Sequence, residues 1–173
     1  MRKTAAIRPV QPGDVAELWE MVRDLAEYEQ AADQLIATPA MYEEVLFTEH
    51  PSVFAVVAPI AEAVSTGSHR LAGFALYFRN FSTWLGRKGI YLEDLYVRPE
   101  YRGLGIGKGL LGQLAQECVS HGYGRLEWWV LDSNEPALGF YRRLNAQPMD
   151  EWTVHRITGS ALTDLARLTD KNT

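Results

Sequence analysis

The chain is 173 residues long, 47% hydrophobic and 23% charged, which suits one domain with a sizeable core and leaves no room for a second. Its formal net charge of −5, with no Lys/Arg-rich stripe, argues against nucleic acid as the main partner and favours a cationic one. No apolar run approaches the ~20 residues of a membrane span and no signal-peptide h-region opens the chain, so a cytoplasmic location and no membrane partner are expected.

Residues 7–10 read as a short edge strand, a setting that tolerates Pro9. Asp14 is placed to N-cap a helix on which Val15, Leu18, Trp19, Val22, Leu25 and Ala26 keep a helical period. Thr38-Pro39 opens a second helix, with proline at its first position and Glu43 and Glu44 in its early turns. The apolar, β-branched run 52–60 predicts a buried strand, 61–70 a polar hairpin loop, and 71–79 and 89–97 two strands joined by an 80–88 loop. A helix over 107–121 follows, stopped by Gly122 and Gly124. The single cysteine, Cys118, falls on its core face among Leu110, Leu111 and Leu114 and has no disulfide partner. The four histidines show no metal-ligand spacing, and no metal is expected. Residues 125–131 read as a strand. Asn134 caps a helix running to Leu144 with Pro136 in its first turn, and Asn145 supplies the left-handed residue at its end. A last strand is predicted over 152–157 and a terminal helix over 160–168. The order β-α-α-β-β-β-α-β-α-β implies an α/β fold, a mixed central sheet flanked by helices, in one domain over 1–173.

The run Arg102-Gly103-Leu104-Gly105-Ile106-Gly107-Lys108 lies between a strand and a helix. Alternate glycines let a ligand approach the backbone and let successive N–H groups converge, and the helix adds its unpaired N–H groups and positive dipole end. This is an anion cradle, suited to a pyrophosphate. A Walker A loop is excluded, because Arg102 stands where its first glycine belongs and Gly109 replaces its hydroxyl residue. A dinucleotide fingerprint at Gly107, Gly109 and Gly112 is disfavoured, because residues 98–102 separate the strand from the glycines and Gly112 falls well inside the helix.

Arg-x-x-Gly-x-Gly after Tyr91-Leu92-Glu93-Asp94-Leu95-Tyr96-Val97-Arg98-Pro99 resembles the acetyl-CoA signature of the GCN5-related N-acetyltransferase (GNAT) superfamily. Trp129 to Ala137, with Phe140-Tyr141 and Leu144-Asn145-Ala146, is similar to that superfamily's second signature. Ser82-Thr83-Trp84-Leu85-Gly86-Arg87 resembles the diamine acetyltransferase branch, which includes spermidine/spermine and thialysine N-acetyltransferases. The match departs at Asn145, where relatives usually carry glycine, at Ser133, often tryptophan, and at Ser82, an acid in the polyamine enzymes.

The resemblance implies a GNAT fold in which a strand pair splays after a bulge and the backbone of Leu95, Tyr96 and Val97 pairs with pantetheine as an added strand would. Acetyl-CoA is the implied co-substrate. Arg102, Gly103, Leu104, Gly105, Ile106, Gly107 and Lys108 would hold its pyrophosphate, and Asn134, Glu135, Pro136, Ala137 and Tyr141 would complete its site. An amine with a pKa near ~10 arrives protonated, so a base is required. By resemblance that base is Glu93, acting through water, with Asp94 attracting or orienting the cation and Tyr141 serving the departing sulfur. Tyr28, Glu29, Trp84, Glu93, Asp94, Glu151 and Trp152 correspond to acceptor positions, an aromatic and acidic set suited to an aminoalkyl cation. A homodimer is implied, because this branch builds its acceptor site near a subunit interface. Two other readings stand beside acetyl transfer to a small amine: a non-catalytic acyl-CoA sensor, and acetylation of a protein or peptide amine.

Overall fold

A computed structural model describes residues 6–60 and 69–169. They form two compact units, Met1–Trp129 and Val130–Thr173. The hairpin loop expected over 61–70 falls largely on residues outside those described.

In the first unit five strands lie side by side in chain order: β1 (Arg8–Pro9), β2 (Val53–Pro59), β3 (Leu71–Ser82), β4 (Arg87–Val97) and β5 (Leu126–Trp128). All neighbours are antiparallel except β4 and β5, which are parallel and joined through a helix. Strand alternation divides the apolar residues between two faces. On one face, Leu18 and Met21 of α1 (Val15–Tyr28) and Leu46 of α2 (Pro39–Leu46) meet Val57, Phe74, Leu76 and Tyr96. Phe74 is fully buried there, and burial of a side chain that size contributes roughly 1.5–3 kcal/mol. The intervening residues point the other way. Tyr77 reaches α3 (Ile106–His121), where its hydroxyl donates to Glu117 Oε2 at 2.7 Å, and Arg79 donates to Glu117 Oε1 at 3.1 Å. Cys118 is buried on α3, as its apolar neighbours implied.

Several boundaries differ from the expected ones for physical reasons. The β3–β4 hairpin closes over 83–86 rather than 80–88, because cross-strand pairing continues to Ser82↔Arg87. Asp14 stands at the N-cap of α1 but does not bond its first turn. Its carboxylate accepts instead from Arg8, at 2.6 and 3.1 Å, and from the Gln11 amide at 2.9 Å. Burial pushes the Asp14 pKa up, yet these bonds outweigh burial and hold it below the usual carboxylate value. Gly73 has a definite task on β3. A Cβ there would lie 2.5 Å from the Tyr96 carbonyl oxygen and 3.2 Å from the Val97 Cα, so only glycine lets β3 and the end of β4 approach this closely.

The second unit holds α4 (Glu135–Arg142) and α5 (Gly159–Ala166). The Asn134 side chain accepts from the Ala137 amide at 3.3 Å, the cap expected of it, and Asn145 takes the left-handed conformation at φ 59°. The strand predicted over 152–157 does not form. Its alternation holds for Trp152 and Val154 but fails at Arg156-Ile157, and among the described residues this unit offers no strand to pair with. Trp152, Val154 and Ile157 are exposed, and the element order ends α-α rather than α-β.

Candidate active site

The site is set by one irregularity in β4. Register runs Tyr77↔Leu92 and then Leu76↔Asp94, leaving Glu93 without a partner on β3. Such a bulge bends its strand and raises the local twist. The ladder to β5 ends at the same level, Leu92↔Trp128, so β5 is three residues long instead of the 125–131 expected. Beyond that point β4 runs on to Val97, and among the described residues no strand pairs with it on the β5 side. The Arg98 amide donates to the Ala72 carbonyl at 2.9 Å, so Arg98 points its backbone at β3. Alternation then turns Tyr96 toward β3 as well, and Leu95 and Val97 toward the open edge.

After β4 the chain makes one tight turn at Pro99–Tyr101 and enters the glycine loop. Gly103 and Gly105 sit at φ 74° and 83°, conformations a side chain strains to adopt. A Cβ at either would meet nothing within 4 Å, so the backbone faces open space, as a cradle for a bulky anion requires. Gly105 is the N-cap of α3, and the first backbone bond back to it comes from Gly109. The amides of Ile106, Gly107 and Lys108 therefore precede the helical ladder and remain donors for a ligand. Gly107, Gly109 and Gly112 all lie within α3, which removes the dinucleotide reading.

Facing α1 and α2 across the bulge is a cluster of acids. Asp94 lies opposite Leu76, a member of the α1-side core, and is half-buried. Burial raises its pKa from 3.8 to about 6, and the charges of Glu93 and of Glu29, the C-cap of α1, add to the rise. Burial also raises Glu29. Tyr42 of α2 packs on the same core, and its hydroxyl is pushed up to about 12 by burial and by Asp94 and Glu93. Tyr42 was not foreseen, since nothing in the helical pattern of 39–46 separates a tyrosine beside the acids from one that only packs.

Arg98 was also missed. It is 5% exposed, and its Nε donates to the Leu71 carbonyl at 3.1 Å. Its Nη1 reaches Asp24 at 3.4 Å, and Nη2 reaches Glu17 at 3.5 Å and Glu20 at 3.9 Å. Glu17 in turn accepts from the amides of Arg70 and Leu71, each at 2.9 Å. The network ties α1 to the end of β4 immediately before the glycine loop. An arginine next to a proline at a strand end was the available signal.

The remaining expected residues lie on other elements. Tyr28 closes α1 and stands within 5.4 Å of the Arg102 guanidinium. Trp84 occupies the β3–β4 turn, 87% exposed. Glu93 lies six residue steps along the strand from Arg87, about 20 Å at the usual rise, so one chain does not bring Trp84 to its own acids. In the second unit Phe140 and Tyr141 are both half-buried, with ring centroids 5.2 Å apart, so burial does not single out one of them as the inward-facing member. Glu151 and Trp152 lie in an exposed irregular stretch. No group of three or more His, Cys, Asp or Glu suited to a metal occurs among the described residues, and no described helix is long and apolar enough to cross a membrane.

A mixed sheet with one parallel pair opened by a bulge, an anion cradle at the next helix and acids on the bulged strand define an acyltransferase of the N-acetyltransferase class. The chain belongs to the acetyltransferase (GNAT) family, whose model matches residues 16–146. It is 37% identical over 164 residues to a thialysine N-epsilon-acetyltransferase of Bos taurus, covering 92% of this chain and 96% of the relative. It is 43% identical over 98 residues to an L-ornithine N5-acetyltransferase of Arabidopsis thaliana, covering 57% of this chain and 43% of that one. Among solved structures, an integron cassette protein from the mobile metagenome of V. cholerae superposes with a TM-score of 0.74 at 27% identity, covering 93% of this chain and 96% of the other.

Proposed function

We propose that this chain transfers an acetyl group from acetyl-CoA to the terminal amine of a small cationic acceptor of the lysine, ornithine or diamine type. The acid cluster at the bulge carries the reading: Asp94, Glu93 and Glu29 lie together beside an open strand edge and an anion cradle. The relatives named for thialysine and ornithine support an acceptor that is an amino acid ending in a primary amine.

Bound acetyl-CoA supplies the thioester carbonyl that the amine attacks. The amides of Gly103 to Lys108 and the Arg102 side chain would hold its pyrophosphate, and the open-edge groups of Leu95 and the amide of Val97 would pair with its pantetheine. Tyr96 contributes its ring more than its backbone, which alternation turns toward β3. Asn134 and the first turn of α4, Glu135 to Ala137, are assigned to the same ligand. At neutral pH an Asp94 with a pKa of about 6 is mostly ionised and attracts the incoming ammonium, and the cation relieves the repulsion among the three acids. Glu93, the unpaired bulge residue, takes the proton through a water, and the Tyr141 hydroxyl donates to the sulfur as thiolate charge develops.

One acetyltransferase domain comprising both units belongs to this reading, supported by a family match that runs across Trp129. So does a cytoplasmic homodimer. The remoteness of Trp84 from the acids of its own chain supports the dimer, since a partner's Trp84 would then line the acceptor site. Release of CoA across thialysine, lysine, ornithine, putrescine, spermidine, an amino sugar and a peptide tests the acceptor. Turnover confined to the peptide overturns the small-amine reading, and binding of acetyl-CoA without turnover on any amine overturns the enzyme.

A further inference from the structure

Arg102 does not hang free at the mouth of the glycine loop. The turn Pro99–Tyr101, closed by Tyr101 N–H to the Arg98 carbonyl at 2.9 Å and Arg102 N–H to the Pro99 carbonyl at 3.2 Å, folds the chain back on the end of β4. The Arg102 Nε then donates to the Val97 carbonyl at 2.9 Å. Its guanidinium carbon lies 5.4 Å from the centroid of the Tyr28 ring and 5.7 Å from that of Tyr96. Both fall inside the distance at which a cation gains from an aromatic face. The two rings differ in kind. Tyr96 is buried in the sheet, whereas Tyr28, 47% exposed, comes from the last position of α1. The end of α1, the end of β4 and the start of the glycine loop thus converge on one side chain.

A guanidinium is planar, and when its faces and Nε are engaged its remaining N–H donors stay available to an oxyanion. Fixing the group beforehand also lowers the rotamer freedom lost when a phosphate binds. We propose, resting on the acetyl-CoA reading of the loop, that Tyr28 is a positioning residue for the cofactor. With Tyr96 it holds the Arg102 guanidinium in place for the pyrophosphate. A position expected on the acceptor side would then act on the cofactor side, and α1 would couple the two.

Calorimetric titration with CoA of the parent, Tyr28→Leu, Tyr28→Phe, Arg102→Gln and the Leu/Gln double variant tests this. Tyr28→Leu should weaken CoA binding roughly two- to five-fold, the equivalent of one exposed cation–π contact. Tyr28→Phe keeps the ring and should bind as the parent does. Arg102→Gln should weaken binding by itself, and Tyr28→Leu should add nothing to it, the signature of coupled residues. An unchanged CoA affinity in Tyr28→Leu, with only the KM for the amine raised, overturns the inference and leaves the cofactor reading intact. An equal loss in the Arg102→Gln background overturns it as well, because Tyr28 would then act by another route. A parent protein that does not bind CoA overturns the cofactor reading, and this inference with it.

Discussion

Replacing Asp94 with asparagine should make the protein more stable and less active, with a pH dependence that identifies the cause. Moving a carboxyl from 3.8 to about 6 penalises its ionised form by about 3 kcal/mol, at 1.36 kcal/mol per pH unit. Solvent reaching this half-buried group reduces the figure to about 1–2 kcal/mol. The sign follows from proton binding. The folded state holds the Asp94 proton more tightly than the unfolded state, so its favourable contribution is complete below 3.8 and is lost as pH rises through about 6. Asparagine does not ionise and suffers no such loss. Parent and Asp94→Asn should therefore be nearly equal in stability at ~pH 4 and differ by about 1–2 kcal/mol at ~pH 7.5, the variant being the more stable. For a chain of this length that difference is a rise of roughly 2–8 °C in Tm. Urea unfolding of both proteins across this range measures it, and acetyl transfer at ~pH 7.5 should fall, because the ammonium loses an ionised partner. A stability difference that is constant across the range would refute the electrostatic origin.

Three further outcomes are expected. Gly105→Val should abolish acetyl-CoA binding by calorimetry, since its φ of 83° is strained for a β-branched residue and its Cβ would project into the space left for the ligand. Near-parent affinity would remove the phosphate cradle. Glu93→Gln should slow turnover most at neutral pH and recover in part toward the amine pKa near ~10, as free amine becomes abundant; a pH–rate profile parallel to the parent's would take Glu93 off the proton path. Tyr141→Phe should lower kcat by roughly 10²–10⁴-fold, the span of a positioned general acid, with little change in acetyl-CoA affinity. Normal turnover in a less stable protein would make Tyr141 a packing residue.

The elements with strong period and strong punctuation were legible in the sequence. α3 begins one residue before the expected Gly107 and ends at His121, because the glycines that start and stop it act through backbone conformation alone. Asn134 caps α4 for the same reason of local geometry. Legibility failed where an element depends on a partner. Residues 152–157 have strand-like composition, yet a strand exists only with a ladder beside it. Asp14 has the right chemistry for a helix cap, but a nearby arginine competes for the same carboxylate. Tyr42 and the Arg98 network depend on which helix lies over which strand, and a single chain of letters does not carry that.

The acids show the same contrast at the scale of the site. On a regular strand Glu93 and Asp94 would point to opposite faces, and their adjacency would mean little. The register slip at Leu76/Tyr77 changes this, for Glu93 becomes the extra residue and its charge bears directly on Asp94. The same slip coincides with the end of the β5 ladder, which leaves Leu95 and Val97 facing an open edge. A single inserted residue thus links the strained acids to the slot proposed for the pantetheine, at adjoining positions of one strand. Burial of Asp94, with the repulsion of Glu93 and Glu29 added, opposes folding as pH rises through about 6, and a bound ammonium would relieve the repulsive part, so part of the affinity proposed for a cation would be held as a local cost to stability. Neutralising Asp94 should remove both together, so the stability gained and the amine affinity lost in Asp94→Asn should appear over the same pH interval.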